Sequence, residues 1–119
     1  MHEFSLMESV LSRVRESAGE NGINRISKVK IVVGQMTMAV PDSLQFAFEA
    51  LTQAEEALLY ADAVLEIEER PVRCLCKLCG NSFSPVDVYM FFCPECNSTQ
   101  LEVTGGRELY LDFYEGEGE

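Results

Sequence analysis

The sequence has one histidine, no tryptophan, and only nine lysines and arginines against twenty aspartates and glutamates. The shortage of positive charge leaves a formal net charge of −11 over 119 residues. Such a surface repels phosphate backbones and anionic lipid, so neither nucleic acid nor a membrane is an expected partner; cations and basic protein surfaces are. No apolar run approaches the roughly 18 residues of a membrane span. Glu3 and Glu8 stand where a signal peptide would carry basic residues, so the expected location is cytoplasmic. The lone histidine is His2, and nothing resembles a glycine-rich phosphate loop. No nucleophile–base pair can be assembled from the body of the chain, and the expectation is a protein that is not an enzyme.

What is present is 47% hydrophobic residues, enough for the modest core of one domain carrying a small module. Phe4, Met7, Val10, Leu11, Val14 and Ala18 recur at helical spacing, and Glu20-Asn21-Gly22 is a stop. Val29, Ile31 and Val33 alternate with Lys28, Lys30 and Val32, as in a strand. A second helix is expected from Pro41 onward, with Asp42 as its cap and Gln45 completing a capping box. Leu44, Ala47, Phe48, Leu51 and Leu58 form its apolar stripe, while Asp42 and Glu49 need be no more than a cap and a solvated face. Ala63, Leu65 and Ile67 read as a second strand that ends at Pro71. Leu109, Leu111 and Phe113 read as a third, followed by an acidic tail, Glu-Gly-Glu-Gly-Glu, expected to be disordered.

The implied fold class is α+β: a small mixed three-stranded sheet with two helices, plus an inserted zinc-ribbon module. Residues 1–70 form the first domain, completed by a strand within 105–119, and residues 71–104 form the insertion. Pro71 and Gly105-Gly106 are the expected hinges.

Five cysteines in a cytosolic chain point to metal rather than to disulfides. Cys76-x2-Cys79 and Cys93-x2-Cys96, 13 residues apart, can offer a tetrahedral Zn²⁺ four thiolates from two compact turns. Gly80 frees the backbone after the first turn and Pro94 stiffens the second, with Val86, Val88, Phe91 and Phe92 as apolar cover. Four thiolates leave no open position for hydrolysis, so the zinc is expected to be structural. Spacing alone leaves iron in a rubredoxin-like site open. It also leaves open a frame in which Cys74 replaces Cys76, and Cys74 is either a plain strand-end thiol or one that exchanges metal. Arg70, Arg73 and Lys77 are placed to offset a dianionic centre.

His2 follows the initiator methionine, and a bulky second residue hinders removal of Met1. The terminal amine, the His2 amide and the His2 imidazole can close a five- and a six-membered chelate ring around Ni²⁺ or Cu²⁺. Glu3 can add its amide nitrogen or its carboxylate. The plain alternative is a solvated histidine at a helix start.

"MHEFSL" at the start, "PDSLQFAFEAL" at 41–51, "AVLEIEE" at 63–69 and "CKLCG…CPEC" at 76–96 follow one another as they do in the HypA family (HybF names a paralogue), which this sequence resembles over nearly its whole length. The resemblance implies a nickel metallochaperone of hydrogenase maturation. Its nickel domain would comprise residues 1–70 and the last strand. Its nickel site corresponds to Met1, His2 and Glu3, with Asp42 matching an acidic residue near that site in some members. Its zinc ligands correspond to Cys76, Cys79, Cys93 and Cys96. It implies two partners: the GTPase HypB and the precursor of the [NiFe] hydrogenase large subunit, with urease a further client in some members. The sequence departs from members with extra histidines near the zinc module, because it has none there. The rival expectation is a zinc-ribbon interaction adaptor without transferable metal, and nickel binding that depends on His2 separates the two.

Overall fold

The computed structural model describes residues 2–54, 60, 62–85 and 91–118, except the side chains of residues 2 and 54. Leu58, Val86 and Val88, assigned apolar roles above, lie outside the described residues. The chain forms two compact units: Met1–Val32 with Ala39–Glu68 and Tyr110–Glu119, and Val33–Met38 with Glu69–Leu109. No helix among the described residues is long and apolar enough to cross a membrane.

In the first unit, helix α1 (His2–Glu20) buries Met7, Leu11, Val14 and Ala18, spaced four, three and four residues apart, so they share one face. It stops where expected. The Asn21 backbone N–H donates to the Ser17 carbonyl at 3.1 Å, and the Asn21 side-chain amide donates to the same oxygen at 2.7 Å. Gly22 then takes φ +69°, which costs glycine little. Helix α2 (Pro41–Ala54) buries Leu44, Ala47 and Phe48.

The start of α2 corrects the expected capping box. Pro41 is the first helical residue, where its missing N–H is no loss. The Val40 carbonyl accepts the first helical bond, from Leu44 N–H at 3.0 Å. Asp42 is therefore inside the first turn rather than at the cap. Gln45 turns away, and its Nε2 donates to the Leu65 carbonyl at 2.8 Å.

Strands β1 (Ile23–Gly34), β2 (Val64–Arg70) and the last strand, β6 (Leu109–Gly118), form a sheet in the order β2-β1-β6. Lys28 reaches Glu66 at 3.5 Å, and Lys30 reaches Glu66 at 4.0 Å and Glu68 at 3.1 Å. These pairs step in one direction along both strands, as a helical crossover requires. Against β6 the positions run oppositely: Gly116 abuts Arg25 and Gly118 abuts Gly22. The sheet is mixed.

β6 departs from the expected alternation. Leu109 and Phe113 are exposed, whereas Leu111 and Tyr114, three residues apart, are half-buried. Tyr114 and Ser17 share a hydroxyl–hydroxyl bond of 2.7 Å. Burial on β1 shows a similar step of three, from Ile26 to Val29. The acidic tail is likewise not disordered through Gly118, for it continues β6. Side chains at Gly116 and Gly118 would collide with the carbonyls of Arg25 and Gly22, so the alternating glycines are what let the strand approach.

The second unit has its own sheet, which the sequence reading did not separate. β3 (Arg73–Cys76) lies between β4 (Ser82–Phe83) and β5 (Leu101–Gly105), antiparallel to both. Val72, Cys74, Cys76, Phe83 and Cys93 form its core, with Met36, Phe91, Leu101 and Val103 packed against it. Phe92 is exposed, contrary to its expected role as cover. The unit also takes in the short 3-10 turn Gln35–Thr37. The Val72 N–H donates to Gln35 Oε1 at 3.2 Å, and the Met36 N–H donates to the Gly106 carbonyl at 2.7 Å. Gly106, with φ +105°, packs so closely that a Cβ would lie 2.8 Å from Val72 Cα. That glycine pair is a tightly packed corner in this unit.

Candidate metal centre

The two cysteine turns are built alike. In the first, the Gly80 N–H donates to the Cys76 carbonyl at 2.9 Å and the Cys76 N–H donates to the Asn81 carbonyl at 2.8 Å. In the second, the Asn97 N–H donates to the Cys93 carbonyl at 2.7 Å and the Cys93 N–H donates to the Ser98 carbonyl at 2.9 Å. Gly80 and Asn97 both have positive φ, +79° and +61°. Glycine takes that conformation freely and asparagine tolerates it. These closed turns aim both sulphurs of each pair to one side.

The result is a cluster of four. Sγ atoms of Cys76, Cys79, Cys93 and Cys96 all lie within 4.8 Å of one another, with Cys76–Cys96 and Cys79–Cys93 both at 3.6 Å. A tetrahedral ion with Zn–S bonds of about 2.3 Å separates its sulphurs by roughly 3.8 Å, so this donor set fits zinc in type and spacing. The four thiols perturb one another. Cys76 is lowered, first by the Cys79 N–H that points at its sulphur at 3.5 Å. Cys93 is pulled down to about 6: burial opposes the change, but N–H groups of Cys96 and Glu95 and the neighbouring thiols outweigh it. Cys79 is pushed up to about 12, against the Asn81 N–H, by the Cys93 thiol and burial. Cys96 is raised, against the Ser98 N–H, by burial and the Cys76 and Cys93 thiols. Four thiols this close cannot all ionise without a cation to hold them.

Cys74 is outside the cluster. It is fully buried, sits opposite Phe83 and Val103 in the two flanking strands, and burial pushes its thiol up while Arg73 pulls it down. It packs as a small hydrophobe. The Arg73 guanidinium donates to Ser84 Oγ at 3.0 Å and Ser82 Oγ at 3.2 Å, so it is tied to β4 and to the residue just after it.

Of the terminal candidates, Met1 and the His2 side chain lie outside the described residues. Glu3 is placed: the Val40 N–H donates to Glu3 Oε2 at 3.3 Å. This bond joins the first turn of α1 to the residue just before α2, two positions before Asp42. The rings of Phe4 and Phe46 meet edge to face beside it, with centroids 6.4 Å apart. Neither the Glu3–Val40 bond nor the structural part of Asn81 was legible from spacing. The clue to Asn81 is its position, two residues after a cysteine of the cluster.

The family model described as "Hydrogenase/urease nickel incorporation, metallochaperone, hypA" matches residues 1–116. Curated relatives named hydrogenase maturation factor HypA include one from Moorella thermoacetica, 40% identical over 98% of this chain and 100% of its own length. Another, from Lawsonia intracellularis, is 39% identical over 98% of this chain and 100% of its own length. Among solved structures, the nickel metallochaperone HypA from Helicobacter pylori superposes with a TM-score of 0.65 at 28% identity, covering 100% of both chains. A second HypA solution structure gives a TM-score of 0.69 at 28% identity, covering 100% of this chain and 98% of its own. Matched from end to end by the family model and by relatives of this similarity, the chain belongs to the HypA family of nickel-incorporation metallochaperones.

Proposed function

We propose that this protein carries Ni²⁺ at its N-terminus and hands it to the hydrogenase maturation machinery, while a resident Zn²⁺ on Cys76, Cys79, Cys93 and Cys96 holds residues 71–104 together. The proposed nickel donors are the Met1 amine, the His2 amide and imidazole, and Glu3, with Asp42 close by. The observation that carries this reading is the Glu3–Val40 bond, which gathers the start of α1 and the start of α2 into one neighbourhood. A helix start suits the task, since its first amide nitrogens donate to no carbonyl within the helix. Nitrogen donors in a near-planar set favour Ni²⁺ or Cu²⁺. Zinc in the cysteine cluster supplies a cross-link between the two turns, and its closed sulphur set leaves it no part in hydrolysis.

On this reading the protein works in the cytoplasm, turns over no substrate, and meets the GTPase HypB and the large-subunit precursor of a [NiFe] hydrogenase. The test is a nickel titration of zinc-loaded protein with an authentic N-terminus. One nickel per chain that disappears in His2→Ala, with zinc retained, supports it. Nickel binding indifferent to His2 contradicts it.

A further inference from the structure

The backbone bonds that close the two cysteine turns match, although the Lys77 N–H of the first donates to the Gln100 carbonyl at 2.9 Å where Pro94 of the second has no N–H. Asn81 and Ser98 occupy equivalent places, and each offers its carbonyl to the first cysteine of its own turn. Each also offers its N–H to the second: Asn81 to Cys79 and Ser98 to Cys96. Their side chains then diverge. Ser98 Oγ turns back along its own segment and accepts the Gln100 N–H at 3.0 Å. The half-buried Asn81 reaches across, and its Nδ2 donates to Cys93 Sγ of the other turn at 3.8 Å. One residue thus contacts three of the four cysteines, through N–H, carbonyl and side-chain amide.

We propose that Asn81 is a positioning residue of the four-cysteine centre, which locks the second turn onto the first and draws charge from the Cys93 sulphur. This rests on the reading of the cluster as a zinc site. Groups that hydrogen-bond to metal ligands orient them and tune the metal, and their loss typically costs about 10- to 100-fold in metal affinity. An amide N–H pointed at a thiolate also lowers the electron density that the sulphur gives to the ion. The pseudo-symmetric partner supplies a control within the same molecule, because the Ser98 hydroxyl is engaged with backbone.

The experiment uses the full-length protein, loaded with zinc or with Co²⁺ in its place. Asn81→Ala should keep one zinc per chain but yield it to a competing chelator with affinity about 10- to 100-fold weaker. Its Co²⁺ form should show the sulphur-to-cobalt charge-transfer band at lower energy. Ser98→Ala should change both readouts far less. An Asn81→Ala protein with wild-type affinity and an unmoved band overturns the proposal, as does an equal response in Ser98→Ala. Wild-type protein loaded with ¹¹³Cd²⁺ tests it without any substitution. Scalar coupling between the Asn81 side-chain amide proton and the metal supports the bond through sulphur, and its absence overturns it. A wild-type chain that holds no metal on its cysteines overturns the zinc reading beneath the proposal; zinc-loaded wild type with indifferent Asn81 variants overturns this proposal alone.

Discussion

The cysteine cluster and the proposed N-terminal nickel site are two opposite ways to present metal donors. The cysteine centre uses four side chains, each fixed by a closed turn whose backbone bonds lie between 2.7 and 2.9 Å. In the reading proposed here the N-terminus uses the end of the chain itself: an amine, a backbone amide and an imidazole from its first two residues. Donors fixed by a fold favour retention, whereas donors on a terminus can separate one by one and favour release. The difference assigns the two regions different jobs, and it can be attacked from either side.

The largest effect should come from the cysteines. Structural zinc sites contribute on the order of 10 kcal/mol or more to folding, far beyond what a few dozen residues with a five-residue buried cluster can otherwise supply. Serine at Cys76, Cys79, Cys93 or Cys96 should release zinc and unfold residues 71–104, read by elemental analysis and amide exchange. Cys74→Ser should keep its zinc and lose about 1–3 kcal/mol through a buried hydroxyl without a partner; zinc lost from that variant would put Cys74 in the ligand frame. Chelation should spare α1, α2 and the parts of β1, β2 and β6 that belong to the first unit, which has its own buried stripe. Circular dichroism that collapses completely on chelation would erase the distinction between the two regions.

Much of this arrangement was legible in the sequence because it rests on local rules. Helical spacing marked Met7, Leu11, Val14 and Ala18, and the knuckle spacing with Gly80 marked the four clustered cysteines. What was hidden depends on partners distant in the chain. The last strand looked like Leu109-Leu111-Phe113 facing inward, but the burial step to Tyr114 follows from its pairing with β1, which no pattern within 109–118 encodes. Glu-Gly-Glu-Gly reads as disorder by composition, yet those glycines allow a close strand approach that only the neighbour's backbone explains. Asp42 carried a capping signal, but Pro41 already satisfied the geometry of a first helical residue, and Gln45 found the Leu65 carbonyl across the unit. Glu3 could not be linked to Val40 without the packing of α1 on α2.

Smaller effects sharpen the account of the first unit. Gly116→Ala should lower thermal stability without touching either metal, since its methyl would meet the Arg25 carbonyl. Tyr114→Phe should cost about 0.5–1.5 kcal/mol by removing the bond to Ser17. Lys30 is held above its ordinary 10.5 chiefly by Glu68 and then Asp112. A cation with a raised value stabilises fully below the unfolded pKa and loses that contribution as pH rises through the folded one, so its contribution should fade only in the alkaline range above 10.5. Thermal melts across that range, with Lys30→Met as reference, read it directly.

Nickel affinity should itself fall as pH drops from about 8 to 6, because protons compete for an amine and an imidazole. The central claim is that the terminus is part of the ligand set, and one residue added before Met1 addresses it most directly. The addition converts the amine to an amide and shifts the chelate ring while leaving His2, Glu3, Asp42 and every cysteine in place. Calorimetric titration of the extended, zinc-loaded protein should show nickel binding strongly weakened relative to the native chain. Equal affinity in the two proteins would mean the amine is no ligand, and the account of His2 at the chain's end would be wrong.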